Sequence, residues 1–165
     1  MKLHLAAVLG ALAIISPVYA QGTPHLGGKA TLARNPVIHA IIDSNRIDVV
    51  MNDPNECSDK YLSGSFITYA NNSRPDFVIC MNNHDSYAEL EDTIRHEAHH
   101  AVVWCNGGKP FLSWQDNLEM SQAEDVGMLY KHYKPHHHHE ELEARNVARY
   151  LTNEDVAGAV RKFCM

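Results

Sequence analysis

The sequence predicts an α+β fold, a small antiparallel β-sheet or hairpin followed by a helical half. Three short β-branched or aromatic runs come first, "RIDVVMN" (46–52), "SGSFITYA" (63–70) and "DFVICMN" (76–82), separated by loop and turn residues. From residue 87 onward apolar residues recur at helical spacing, with start and stop signals at the boundaries. Strands first and helices afterwards is the order of an α+β domain.

The first twenty residues stand apart. "MKLHLAAVLGALAIISPVYA" has an early lysine, an apolar run from Leu5 to Ile15 and a small residue at Ala20, the pattern of a secretory signal peptide cut between Ala20 and Gln21. The apolar run is shorter than the roughly 18–20 residues that cross a bilayer, so an anchor is disfavoured. The expectation is a secreted or periplasmic protein. Residues 21–34 read as a flexible leader, and 35–165 as one domain.

Within that domain, Asn35 and Pro36 carry helix-start chemistry, and Val37, Ile38, Ile41 and Ile42 share a helical face. Their β-branched character also suits a strand. "DPNECSDK" then reads as a loop, and "NNSRP" as the turn of a hairpin joining the second and third runs. Ser86 with Glu89 is a capping-box pattern, predicting a helix from Tyr87 to Cys105 that Asn106, Gly107, Gly108 and Pro110 stop. A second helix is expected within 116–131, a third within 137–151, and a short fourth from Asn153 to Cys164.

The net charge of −6 comes with no basic stripe, which disfavours nucleic acid as a partner. No later segment is apolar for long enough to span a membrane, so none is expected as a partner after signal cleavage. Four cysteines in an exported chain predict two disulfides. Three pairings are open. Cys57 with Cys80 and Cys105 with Cys164 is preferred, because each bond then staples neighbouring elements. No CxxC spacing supports a four-cysteine metal site.

The functional signal is His96-Glu97-Ala98-His99-His100, an H-E-x-x-H run inside the predicted helix. Residues four apart lie on one helical face, so His96 and His100 can point at a single Zn²⁺. Glu97, about 100° round the axis, sits beside the metal as a general base. With 12 histidines in the chain the motif gains weight from its surroundings. Leu90, Ile94, Ala98 and Ala101 form a core-facing stripe, while His96, His100 and Val103 lie off it. His99 projects away from Glu97, as a solvent-side residue or an outer hydrogen-bond donor.

A catalytic zinc usually has three protein ligands and an open position. The long motif that places a third histidine six residues on is excluded by Val103 and Asn106. "HHHHEELEARNVARYL" offers Glu140, Glu141 and Glu143 on a later helix. Glu143 is favoured over Glu140, with small Ala144 allowing close approach, and Glu141 is taken as turned away. Tyr130, His132 and Tyr133 are candidate donors to a developing oxyanion, and Phe111 and Trp114 candidate cleft residues. The tract His136–His139 reads as a solvated loop or helix start with a possible ancillary affinity for metal.

"NDPNEC", "VIC", "DTIRHEAHHAVVWC" and "ELEARNVA", in that order, carry a resemblance to small secreted zinc-peptidase-like proteins of the gluzincin type, in a cyanobacterial-type group. The resemblance implies a zincin-like fold, His96, His100 and Glu143 as ligands of one Zn²⁺, Glu97 as base, and Cys57 bonded to Cys80. In that pattern Gln-Asp stands where this chain has Val103-Trp104. The expected function is a secreted zinc-dependent metallohydrolase, foremost a peptidase acting on peptide or protein substrates. The rival readings are an exported metal-binding protein without turnover, and a partner-binding protein that uses zinc for stability.

Overall fold

The computed structural model describes residues 32–71 and 73–165. The expected signal peptide, and the leader up to residue 31, lie outside the described residues.

Helix α1 (Pro36–Ser44) forms where the cap chemistry places it. The Asn35 side chain accepts hydrogen bonds from the Val37 and Ile38 amides, and proline occupies the first turn, where a missing N–H costs nothing. Asn45 ends it in the left-handed region, at φ 53°, which asparagine tolerates better than most residues.

The strands are β1 (Asp48–Met51), β2 (Gly64–Ile67) and β3 (Asp76–Ile79), ordered β1-β3-β2. The sheet is mixed, not antiparallel throughout. β2 pairs antiparallel with β3, placing Phe66 opposite Phe77, but β1 pairs parallel with β3, placing Val50 beside Val78. From β1 the chain crosses to the far edge through a loop with one 3₁₀ turn, Glu56–Ser58, and the hairpin then returns β3 to the centre. Phe77, Val78 and Ile79 are accordingly buried, which explains an apolar run without alternation.

Helix α2 (Tyr87–Cys105) starts on Ser86, whose hydroxyl accepts from the Glu89 amide, while the Glu89 carboxylate accepts from the Asp85 amide. It stops at Asn106, with Gly107 and Gly108 both at positive φ (74° and 77°). The single helix expected over 116–131 is two: α3 (Trp114–Met120) and α4 (Ala123–His132). Ser121 is extended between them, and its hydroxyl donates to the Asn117 carbonyl. Helix α5 (His138–Tyr150) follows a 3₁₀ turn at Pro135–His137, so the histidine tract is a turn and a helix start. Helix α6 (Asn153–Cys164) begins with a complete capping box between Thr152 and Asp155.

The sheet, α1, α2 and α6 share one core, built from Val37, Ile41, Phe77, Ile79, Leu90, Ile94, Ala98, Ala101, Val156 and Val160. Val103, expected on the cleft side of α2, is buried. Cys57 bonds Cys80 and Cys105 bonds Cys164, the preferred pairing. The first ties the crossing loop to the end of β3, and the second ties the end of α2 to the end of α6.

Candidate metal centre

Burial of the stripe Leu90, Ile94, Ala98 and Ala101 fixes the rotation of α2, and His96 and His100 then emerge together on its flank. Their Nε2 atoms lie 3.3 Å apart. Helix α5 packs across α2 and brings the Glu141 carboxylate to both, with one oxygen 3.5 Å from His96 Nε2 and the other 3.5 Å from His100 Nε2. These three residues can each offer a ligand atom within 4.8 Å of the others.

The separation of the two imidazole nitrogens is that of neighbouring ligands on one metal ion. Tetrahedral zinc with bonds of about 2.0–2.1 Å separates its ligand atoms by about 3.3 Å. Glu141 Oε2 is also buried with no hydrogen-bond partner, a costly state for a carboxylate oxygen that a cation would relieve. On its other side, His100 Nδ1 donates to Glu140 Oε1 at 2.8 Å, which leaves Nε2 with the free lone pair.

The electrostatics follow from crowding. At His100 burial works against the proton, but the Glu140 hydrogen bond and the charges of Glu97, Glu141 and Glu140 outweigh it and raise the pKa. Burial works against ionisation of Glu141, yet His96, His100 and Tyr133 hold its pKa below the usual carboxylate range. Glu97 goes the other way. Burial raises its pKa, only partly offset by His96, His100 and the Phe66 backbone amide.

Gly64 makes this arrangement possible. A Cβ on it would lie 2.8 Å from Thr93 Cγ2, 3.0 Å from the Val78 carbonyl oxygen and 3.1 Å from Glu97 Cγ. Its missing side chain therefore lets β2 close onto α2 directly beside the candidate base.

A family model for a domain of unknown function, DUF8637, matches residues 33–165. The chain belongs to the DUF8637 family. No curated protein and no solved structure matches it.

In this DUF8637 chain the site residues expected from sequence divide. His96, His100 and Glu97 are together, but Glu143 is not with them. Its carboxylate accepts from the Phe111 amide (2.9 Å) and the Leu112 amide (2.6 Å), and lies 3.0 Å from His99 Nε2. His99 is not on the solvent side; it is 4% exposed, and burial lowers its pKa. Glu140 stands behind His100, and Glu141, expected to face away, completes the triangle. Positions 141 and 143 are about 200° apart on a helix, so one packing decision selects between them. Of the suggested donors, Tyr133 lines the cleft with His96 and Glu97, whereas Tyr130 and His132 are exposed on α4. Phe111 lies on the far side of α2 against Phe163, with ring centroids 4.9 Å apart, and Trp114 packs on His139 at 6.0 Å. His138 and His139 donate to the Tyr133 and Leu112 carbonyls, which accounts for half the tract structurally.

Proposed function

We propose that this protein is a zinc-dependent hydrolase acting on peptide bonds, with His96, His100 and Glu141 as ligands and Glu97 as general base. The observation that carries the reading is the convergence of His96 Nε2 and His100 Nε2, 3.3 Å apart, on the Glu141 carboxylate, whose two oxygens lie 3.5 Å from one imidazole nitrogen each, with the buried Glu97 carboxyl group on the neighbouring residue. A zinc ion held there supplies Lewis acidity, lowering the pKa of a water and polarising a carbonyl oxygen. Glu97 then takes the proton from the attacking water and passes it to the leaving amine. Tyr133, half-buried beside Glu141, is the candidate donor to the oxygen that gains charge.

The cleft favours an extended polypeptide. β2 is an edge strand, and Ser63 and Gly64 at its start line the same cleft as His96 and Glu97. A substrate backbone can pair along such an edge and cross the centre. A histidine-bearing helix set against an edge strand, with a glutamate from a later helix, supports a zincin-like reading of the gluzincin type. Two disulfides, and the lack of any helix among the described residues long and apolar enough to cross a membrane, are compatible with export.

Glu97→Gln is the test. It is expected to keep one tightly bound zinc per chain while losing all cleavage of a broad peptide library. Zinc-loaded wild type that cleaves nothing in the library would instead favour a metal-binding protein without turnover.

A further inference from the structure

The cleft beside the triangle has a volume of about 500 Å³, and its charged groups are unequally matched. Asp92 is paired with Arg95, and Glu97 belongs to the candidate centre. The same cleft is lined by two guanidinium groups, Arg145 and Arg149, and by one further carboxylate, Asp125. Arg149 takes both oxygens of that carboxylate, Nη1 on Oδ2 and Nη2 on Oδ1, and has the exposed Glu124 at 3.9 Å as well. Arg145 is left with one Asp125 oxygen at 3.9 Å, beyond hydrogen-bond distance, and with the Tyr133 side chain beside it.

Arg145 is nevertheless held in place. It follows Glu141 by one turn of α5, its guanidinium lies 6.0 Å from the Tyr133 ring centroid, and its side chain is only 26% exposed. Its Nε is buried with no hydrogen-bond partner. The Nη1 donor has no carboxylate oxygen within hydrogen-bond distance, and a planar carboxylate from the cleft matches a guanidinium's fork of donors. We propose that Arg145 is a specificity-determining residue that binds a substrate carboxylate in the cleft. The preferred substrates are then peptides with an acidic group near the scissile bond, either the free C-terminus or an Asp or Glu side chain. This rests on the peptidase reading for its substrate, but the carboxylate site itself can be tested without turnover.

Three N-mercaptoacetyl dipeptides serve as probes: Ala-Ala with a free carboxylate, Ala-Ala amide, and Asp-Ala amide. Each is titrated by NMR into the full chain, zinc-loaded and zinc-free, as wild type, Arg145→Gln and Arg145→Lys, with circular dichroism confirming the fold of each variant. In wild type at least one carboxylate probe is expected to bind about tenfold or more tighter than the neutral amide in both metal states. The ratio falls to near one in Arg145→Gln and partly recovers in Arg145→Lys. Whichever acidic probe gains identifies the source of the carboxylate. A wild-type ratio near one, a ratio unchanged in Arg145→Gln, or no measurable binding of any probe overturns the proposal. The zinc reading fails separately, if the amide probe binds zinc-loaded and zinc-free protein equally; the carboxylate ratio still decides Arg145.

Discussion

Glu140, Glu141 and Glu143 sit within one turn of α5 and have three different surroundings, which makes them separable by mutation. Glu141→Gln removes a ligand and is expected to lower zinc affinity by more than ~100-fold in a chelator competition. Glu140→Gln removes only the partner of His100 Nδ1, and such outer contacts are worth about 10–100-fold. Glu143→Gln is expected to leave zinc affinity within a few fold but to destabilise the fold by about 3 kcal/mol, read by denaturant unfolding. Its buried carboxylate accepts from two backbone amides and faces His99, and losing charge-assisted bonds in the interior is costly. Zinc loss from Glu143→Gln with retention in Glu141→Gln would reverse the ligand assignment. Gly64→Ala belongs at this scale too. The new methyl group meets the Val78 carbonyl at 3.0 Å as well as two side chains, so β2 must move from α2. A loss of about 1–3 kcal/mol is expected, together with a fall in activity, because Glu97 rests on the same contact.

Among the elements, α2 matters most, because it lies against β2, β3, α5 and α6. Arg95 reinforces this, donating to the Ala148 carbonyl of α5 and to Asn153 of α6. The Cys105–Cys164 disulfide then joins positions 59 apart in the sequence and encloses α3, α4, α5 and almost all of α6. Replacing both cysteines by serine is expected to cost about 2–4 kcal/mol in stability. Since α5 carries Glu141 and α2 carries the histidines, the same variant should bind zinc more weakly, measured by the same competition. Unchanged zinc affinity would mean that packing of α5 on α2 alone sets the triangle. The boundaries of α2 and the start of α1 were legible in the sequence, because Ser86 and Asn35 cap locally and Asn106, Gly107 and Gly108 end α2 locally. The break at Ser121 was not, because it depends on the buried contacts of Asn117 and Ser121 with Asn146 of α5.

At the scale of the molecule, a metal that binds only the folded chain stabilises it by mass action, about 2.7 kcal/mol at a free concentration of one hundred times Kd. Removing zinc with a chelator should therefore lower the melting temperature, and the gap should depend on pH. A histidine ligand must be neutral, and the raised pKa of His100 means that its proton competes above the ordinary value of 6.5. The same raised pKa stabilises the metal-free fold at low pH and is lost as pH rises through it. Both effects widen the gap between zinc-loaded and zinc-free protein as pH increases. A gap constant from pH 5 to 8 would argue against histidine ligation. The sequence by itself determined the order of strands and helices and the placement of His96, Glu97 and His100 on one helix, since these follow from local spacing and capping, whereas it only preferred one cysteine pairing of three. Only the tertiary structure decided that β1 runs parallel to β3, and which glutamate meets the histidines. Those depend on how the chain crosses the sheet and how α5 is rotated against α2, and the burial of Leu142, Ala144 and Asn146 that sets that rotation involves partners far away in the chain.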